Sequence, residues 1–269
     1  MTVAAPVGTK LANYKPLGNG VALIELNDPP ANTYTHEMMR DLDECILAAR
    51  FDDDVHAVVL TGFGEKFFCA GANIKMLASV TPKFKYYFCL HANETLSRME
   101  QTPKLFIAAL NGHCVGGGLE IAMATDIIIA RKDAGKVGLP EISLGVLPGT
   151  GGTQRLVRIV GKRKALELMI TGQNFSFEQA KEMNLVNDIF PNEGFMEKVI
   201  EYARQFVPPA KASKAVGNIK RCCQSGAEIP FENALTLERE LQQQLFQSED
   251  AKEGLTAFVE KRAPKFKGR

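Results

Sequence analysis

Net charge, long apolar runs and targeting signals are scarce or missing in this sequence of 269 residues. Its 32 lysines and arginines are nearly balanced by 31 aspartates and glutamates, so no overall field recruits nucleic acid or an anionic membrane. Nowhere do about 18 apolar residues follow one another, which excludes a transmembrane helix. The opening segment lacks the apolar stretch of an export signal and the Arg-rich pattern of a transit peptide. We expect a cytoplasmic protein without nucleic-acid or membrane partners.

Cysteines in CxxC spacing are absent as well. The six cysteines, at positions 45, 69, 89, 114, 222 and 223, lack the spacing of a zinc or thioredoxin-like site. We therefore predict reduced thiols and no metal. Cys222 and Cys223 are neighbours that could bind a metal or form a strained disulfide, or could be two small apolar residues on a helix.

What the sequence does contain, in its first half, is an alternation of short β-branched segments with helical patterns. Such alternation predicts an α/β core. The predicted elements are a strand at 21–26, a helix at 36–49 and a strand at 57–61, followed by a strand at 105–110, a helix at 117–125 and a strand at 127–130.

The second half is mostly helical in pattern. A capping box, Ser176 with Gln179, predicts the start of a helix that runs through Met183, and two prolines interrupt the chain at 207–212. We therefore divide the chain into an α/β core, residues 1–205, and a helical C-terminal region, residues 206–269. The other helices predicted in this half cover 153–160, 164–171, 214–223, 231–246 and 251–261.

Three consecutive glycines, Gly116 to Gly118, stand between the predicted strand at 105–110 and the helix that carries Glu120. The first N–H groups of a helix have no partner within it, and glycine lets a ligand approach them closely. Close backbone packing would explain the same glycines.

Glu120 lies in an apolar run, where desolvation raises the pKa of a carboxyl group and the helix dipole lowers it. It is either a functional carboxylate or a capping residue.

Glu141 is a second carboxylate with apolar neighbours, ahead of the glycine-rich turn PGTGG. The interval from Glu120 leaves room for a helix, a strand and a return, so both side chains could face one cavity. A surface position on a loop is the alternative.

The segment FFCAGANIKM, residues 67–76, places small residues after an aromatic pair. It would either admit a ligand against the backbone or form a tightly packed turn.

Together these segments resemble the crotonase, or enoyl-CoA hydratase, superfamily. The matching stretches are FCAGANIK at 68–75, AALNGHCVGGGLEIAMATDIIIA at 108–130 and GLPEISLGVLPGTGGTQRL at 138–156. The segments TGQNFSFEQAKEMNLVNDIF and EGLTAFVEKRAP are also similar. Because separated motifs occur in the family's order, from about Lys15 onwards, the resemblance is more specific than any single glycine turn.

The resemblance implies a spiral of repeated β-β-α turns and a helical C-terminal region used in trimer contacts. It also implies a homotrimer, or a homohexamer made of two trimers. Backbone N–H groups of Ala72 and Gly117 would form an oxyanion hole for a thioester carbonyl. An acyl-CoA would be the substrate, and no separate cofactor is needed because coenzyme A is part of that substrate.

Glu120 and Glu141 match the two glutamates that hydratases of this superfamily use together. The implied reaction adds water across the double bond of a 2-enoyl-CoA and gives a 3-hydroxyacyl-CoA, in fatty acid or related acyl-CoA degradation. We assign the proton of the attacking water to Glu120, and delivery of a proton to the α carbon to Glu141. Two carboxyl groups around one water are expected to titrate as a pair, so one proton is retained.

The same resemblance implies that Ala31 and the segment 70–75 line the adenine pocket of coenzyme A. Phe258 and Lys261 would reach this pocket from the C-terminal helix. The sequence has PPANTYT where many members have an Asn-Ala pair. It also has Asn73 where hydratases often carry Asp. The residues assigned to the pocket within 70–75 are Ala70, Ala72, Asn73, Ile74 and Lys75.

Other functions fit parts of the sequence. Glu141 alone could shuttle a proton, which would make the protein an enoyl-CoA isomerase. A branched or cyclic acyl chain as substrate would make it a specialised hydratase.

RNA binding is an alternative of a different class. Some crotonase relatives contact RNA, and the tail from Lys261 to Arg269 is basic, but a neutral total charge offers little for phosphate-dominated affinity. Histidine as a residue type can act as a base near neutral pH, which makes His113 a candidate, although we expect a turn histidine whose ring bonds nearby backbone. The shape of the acyl pocket is expected to depend on Met76, Tyr86, Tyr87 and Phe88.

Overall fold

The computed structural model of the protein describes residues 10–269. Part of the opening segment, for which the sequence predicts no export signal, lies outside this range, as do the first residues of the proposed 1–205 core. Across the described residues, no helix combines the length and the apolar character needed to cross a membrane. All six cysteines, which lie within the described range, are free thiols, as their spacing predicts.

Within residues 10–269, ten strands form a larger sheet in the order β1-β2-β3-β5-β7-β10 and a smaller one in the order β4-β6-β8-β9. The strands of the larger sheet are β1 (Ala12–Gly18), β2 (Gly20–Leu26), β3 (Val55–Gly62), β5 (Leu105–Leu110), β7 (Ile127–Arg131) and β10 (Asp188–Phe190). Those of the smaller sheet are β4 (Phe67–Cys69), β6 (His113–Val115), β8 (Lys136–Gly138) and β9 (Phe175–Ser176).

The chain passes back and forth between the two sheets. From β3 to β8, each odd-numbered strand joins the larger sheet and each even-numbered strand joins the smaller one. Neighbouring strands from β2 to β10 in the larger sheet are parallel, while β1 pairs antiparallel with β2 at the edge. This is the spiral of β-β-α turns that the resemblance implied. The strands predicted at 21–26, 57–61, 105–110 and 127–130 are confirmed as β2, β3, β5 and β7.

Helices cover the faces of the sheets and make up most of the C-terminal region. In the described chain they are α1 (His36–Phe51), α2 (Ile74–Ser79), α3 (Pro82–Gln101), α4 (Gly117–Met123), α5 (Gly152–Val160), α6 (Lys162–Thr171), α7 (Phe177–Glu182), α8 (Phe195–Arg204), α9 (Ser213–Gly226), α10 (Phe231–Phe246) and α11 (Glu249–Val259), with a 3₁₀ turn at Pro140–Leu144. The predicted capping box is present, since Ser176 and Gln179 bond each other's backbone N–H. Cys222 and Cys223 lie on α9, as the helical alternative proposed.

Three predicted helices end earlier than the sequence suggested. The helix expected to run through Met183 stops at Glu182. The helix expected over 117–125 stops at Met123, and the hydroxyl of Thr125 bonds the carbonyl of Ala122 instead of continuing the pattern. The helix expected over 251–261 stops at Val259, because Lys261 has a φ of 56°. A left-handed residue of this kind terminates a helix.

A buried ion pair connects the segment after residue 205 to the core. Lys220, on α9, lies 2.9 Å from Asp126, which precedes β7. Its ammonium group also donates to the carbonyl oxygens of Met99 and Lys104, each at 3.0 Å. Burial lowers the pKa of Lys220 and raises that of Asp126. Removing either partner would leave an uncompensated charge in the interior, so this pair fixes how α9 docks.

Candidate active site

The glycine turn between β6 and α4 brings backbone donors to one side of a cavity. Gly116 adopts a φ of 56°, which favours glycine, and Gly117 begins α4. A Cβ on Gly117 would overlap Cε1 of Tyr34, and a Cβ on Gly118 would overlap the carbonyl oxygen of Cys69. Both of the roles left open by the sequence therefore apply, because the glycines allow close packing and also leave an N–H group at the cavity.

A second backbone segment, after β4, faces the same cavity. Ala72 pairs in a short parallel bridge with Tyr34. Among residues 10–269, the N–H groups of Ala72 and Gly117 donate to no backbone or side-chain acceptor. Nearly all buried backbone donors in proteins have a partner, so two free donors at one cavity offer a place for an oxygen of a ligand.

Glu120 is buried in the first turn of α4, with 1% of its surface exposed. Its Oε1 accepts the N–H groups of Thr150 and Gly152, each at 2.7 Å. The residue is therefore a cap, as one alternative held, but it caps the start of α5 rather than its own helix. Burial raises the pKa of Glu120, while the bonds from Gly152 and Thr150 lower it. Both bonds end on Oε1, so Oε2 is not engaged by these two donors.

Glu141 lies in the 3₁₀ turn and faces the glycine turn from across the cavity. Its Oε1 is 3.0 Å from the position that a Cβ would take on Gly116. Its Oε2 is buried and has no hydrogen-bond partner within the described chain. Burial, followed by a smaller contribution from the negative charge of Glu120, raises the pKa of Glu141 to about 7, against the opposing effects of its own N–H and of Lys85. A carboxyl group of this pKa exchanges a proton near neutral pH.

One cavity of about 400 Å³ joins these groups. Both glutamates and both donor residues line it, which excludes the surface-loop alternative for Glu141. Its volume falls within the range of small-molecule sites. The lining residues are Tyr34, Ala70, Gly71, Ala72, Ile74, Leu77, Lys85, Gly116, Gly117, Glu120, Pro140, Glu141, Ser143, Leu144, Val146, Leu147 and Gly149.

Lys85 is a cation in this otherwise mostly apolar cavity. It lies on α3, and its ammonium group is 5.2 Å from the centre of the Phe88 ring. Its charge lowers the pKa of both Glu120 and Glu141. Sequence reasoning missed Lys85 because it missed α3. The signal was available, since Thr81 caps this helix and Pro82 takes its first position.

Tyr34 was also missed, although the segment that contains it, PPANTYT, stood out as a departure from the family. The residue is buried and lines the cavity. Its hydroxyl is 2.9 Å from Oγ1 of Thr150, whose N–H binds Glu120. Burial, with a smaller contribution from the charge of Glu120, holds the pKa of Tyr34 well above its ordinary value. The tyrosine is therefore a neutral hydroxyl at any ordinary pH.

The residues expected at the adenine pocket are only partly brought together. Ala70 and Ile74 line the cavity, and the carbonyl oxygen of Ala31 accepts the N–H of Ala70 at 3.0 Å. Asn73 caps α2 by accepting the N–H of Met76 at 3.0 Å. Neither Ala31 nor Asn73 is part of the cavity lining. Three further candidates also lie outside it, namely Lys75, which is exposed on α2, Phe258, which is 85% exposed on α11, and Lys261, which is exposed after it.

The aromatic residues expected to shape the acyl pocket do not line the cavity. Tyr86 and Tyr87 are 66% and 55% exposed, and Phe88 is buried beneath Lys85. These three, with Met76, are absent from the lining, where Leu77 and Lys85 stand instead. For the three aromatic residues the reason is helical geometry, because α3 presents Lys85 to the cavity and directs the side chains that follow it elsewhere.

His113 lies outside the cavity and bonds nearby backbone. Nδ1 of His113 accepts the N–H of Lys136 at 3.1 Å, and the residue is not part of the cavity lining. The predicted bond between the ring and nearby backbone is confirmed, but His113 begins strand β6 instead of lying in a turn. Within residues 10–269, no group of three or more His, Cys, Asp and Glu side chains is arranged to hold a metal ion.

Comparisons with known proteins point to one family. The sequence profile of the enoyl-CoA hydratase/isomerase family matches residues 17–269. The chain is similar to a probable enoyl-CoA hydratase of Bacillus subtilis, with 38% identity over 92% of this chain and 95% of that one. It is also similar to a short-chain-enoyl-CoA hydratase of Clostridium acetobutylicum, with 38% identity over 90% of this chain and 92% of the relative.

Solved structures agree with the sequence relatives. A crystal structure from Geobacillus kaustophilus superposes with a TM-score of 0.93, at 45% identity and with 98% of each chain covered. An enoyl-CoA hydratase from Bacillus anthracis superposes with a TM-score of 0.90, at 33% identity, over 96% of this chain and 100% of that one. The likeness thus extends over the core and the C-terminal helices together.

Proposed function

The chain belongs to the enoyl-CoA hydratase/isomerase family, and we propose that it adds water across the double bond of a 2-enoyl-CoA to give a 3-hydroxyacyl-CoA. The observation that carries this proposal is the meeting of two carboxyl groups, Glu120 and Glu141, with two free backbone donors at one cavity. Hydration needs a base for the water, an acid for the α carbon, and donors for the carbonyl oxygen. The cavity contains a candidate for each.

Glu120 serves as the base in this proposal. With Oε1 held by two N–H groups, the carboxylate has a fixed orientation, and Oε2 takes a proton from a water molecule as the water oxygen bonds to the β carbon. The bonds from Gly152 and Thr150 favour the ionised form that a base requires. General-base assistance of this kind is typically worth about 100- to 10,000-fold in rate.

Glu141 serves as the acid. Its pKa of about 7 keeps a large share of the group protonated near neutral pH, and its Oε2 is a buried atom without a partner. The proton passes to the α carbon as the electron pair of the double bond moves there. The enzyme returns to its starting state when Glu120 releases its proton and Glu141 regains one, so the net change is the addition of one water.

Ala72 and Gly117 form the oxyanion hole. Negative charge develops on the thioester oxygen between the two proton transfers, and the two N–H groups stabilise it there. Each such donor is typically worth about 3 kcal/mol in the transition state. No metal and no cofactor apart from the coenzyme A of the substrate takes part in this proposal.

The proposal extends to the compartment, the assembly and the contacts of coenzyme A. We place the reaction in acyl-CoA degradation in the cytoplasm, in keeping with six free thiols. Assembly as a homotrimer or homohexamer would cover large apolar side chains on the C-terminal helices, such as Phe246, Phe258 and Val259, which are 60%, 85% and 79% exposed. Ala31, Asn73, Lys75, Phe258 and Lys261 remain proposed contacts of coenzyme A.

Product analysis in ¹⁸O-labelled water tests the proposal. We expect the protein to convert crotonyl-CoA to a 3-hydroxyacyl-CoA that carries one labelled oxygen on the β carbon. A 3-enoyl-CoA offered in parallel serves as the control for isomerisation. A shifted double bond without labelled oxygen would identify an isomerase and would refute hydration.

A further inference from the structure

Tyr34 holds the backbone segment that presents the first oxyanion donor. Its N–H donates to the carbonyl of Gly71 at 3.0 Å, and its carbonyl oxygen accepts the N–H of Asn73 at 3.1 Å. These two bonds bracket Ala72 on both sides. The main chain of Tyr34 therefore sets the direction of the Ala72 N–H group.

The ring of Tyr34 contacts the second oxyanion donor. It occupies the space that a side chain on Gly117 would need, since Cε1 overlaps the place of a Cβ there. The ring also packs against Phe88, with the ring centres 5.5 Å apart. With only 2% of Tyr34 exposed, the ring is fixed between α3 and the start of α4.

The hydroxyl of Tyr34 reaches Thr150, in the loop that precedes α5 and binds Glu120. It lies 2.9 Å from Oγ1 of Thr150, and the N–H of Thr150 donates to Glu120 at 2.7 Å. The carbonyl oxygen of Thr150 accepts a bond from Arg155 at 3.2 Å, and Arg155 pairs with Glu100 at 2.7 Å. The loop is thus held from one side by Tyr34 and from the other by this ion pair.

We propose that Tyr34 is a positioning residue for the hydration reaction. Its ring and its hydroxyl align the oxyanion hole with Glu120. This inference rests on the proposed function. Tyr34 acts through Ala72, Gly117 and Thr150 rather than on the substrate. The hydrogen bond between Tyr34 and Thr150 holds the loop whose N–H group favours the ionised form of Glu120, the form that a base requires.

The variant Tyr34→Phe keeps the ring and removes only the hydroxyl. We expect kcat for crotonyl-CoA hydration to fall about five- to tenfold, the loss that follows from one hydrogen bond of ordinary strength, with little change in KM. The acidic limb of the pH profile should move to higher pH, because the ionised form of Glu120 loses support. Thr150→Val should have the same effects.

The double variant Tyr34→Phe/Thr150→Val tests whether the two residues act as one unit. Partners in a single network are not additive, so the double variant should lose no more activity than the more impaired single variant. Tyr14→Phe is the matched control. It removes another tyrosine hydroxyl bond, 2.8 Å to Asp52, from a residue that does not line the cavity, and it should keep the wild-type kcat and pH profile.

Several outcomes would overturn the role of Tyr34. They are a wild-type kcat and pH profile in Tyr34→Phe, a loss of thermal stability with an unchanged acidic limb, or additive losses in the double variant. Wild-type protein that forms no hydrated product would refute the proposed function itself, so the two failures can be told apart in one assay.

Discussion

Oε1 of Glu120 accepts the N–H of Gly152 at 2.7 Å, so a carboxylate from α4 caps the first turn of α5. The two residues are 32 positions apart in the sequence. An anion at the start of a helix is stabilised by the free N–H groups and by the helix dipole. The contact therefore offsets part of the cost of burying Glu120, while it leaves the second oxygen of the carboxylate for chemistry.

The pKa of Glu141 predicts how activity and stability depend on pH. As the acid, Glu141 must be protonated, so kcat/KM for hydration should fall as the pH rises through about 7. The folded state binds this proton more tightly than the unfolded chain, whose ordinary value is 4.5. The resulting contribution to stability is present below pH 4.5 and is lost as the pH rises through about 7.

The variant Glu141→Gln removes that titration. It should be nearly inactive, and at about pH 8.5 it should unfold at a higher temperature than the wild type. At about pH 4.5 the difference should be smaller. Thermal melts across pH, followed by circular dichroism, measure both effects. A wild-type protein whose stability relative to the variant stays constant over this range would contradict the raised pKa of Glu141.

Lys85 should set the position of the pH profile. Its charge lowers the pKa of both Glu120 and Glu141, so Lys85→Met should move both limbs of kcat/KM to higher pH. The neighbouring Lys83 is exposed and does not line the cavity, which makes Lys83→Met the matched control. If both lysine variants gave the wild-type profile, Lys85 would not contribute to the electrostatics of the site.

A side chain on Gly117 should disable the oxyanion hole. The new Cβ in Gly117→Ala would overlap the ring of Tyr34, so the backbone must shift and its N–H must move. Loss of one oxyanion donor typically lowers kcat by about 100- to 1,000-fold, and we expect an effect of this size. Gly226→Ala is the control, since its Cβ would lie 3.5 Å from Ala234, an ordinary contact. Equal activity in both variants would exclude Gly117 from the oxyanion hole.

Much of the fold was predictable because several elements have clear local patterns. The strand at 105–110 and the helix at 231–246 have the predicted bounds. The helix predicted at 36–49 is present, and the apolar residues that recur along it at intervals of three and four are all buried, namely Met38, Met39, Leu42, Cys45, Ile46 and Ala49. By contrast, β6, β8 and β10 have three residues each, which is too short to show a period.

The site was predictable only as far as local sequence reaches. Glu120, Glu141 and the glycines stand in recognisable motifs, and the structure brings them to one cavity. The role of Tyr34 depends on Thr150, which is 116 positions away. That of Lys85 depends on the face that α3 presents to the cavity. Such relationships arise from tertiary packing, and no spacing in the sequence reveals them.

The most direct test of two carboxyl groups acting on one water is the hydration of crotonyl-CoA by Glu120→Gln and Glu141→Gln. Glutamine keeps the side-chain shape and, at position 120, an oxygen for the Thr150 and Gly152 donors, but it can neither take nor give the proton. We predict that each variant folds, still binds acyl-CoA, and loses about 100- to 10,000-fold in kcat. Wild-type turnover in both variants would contradict the account.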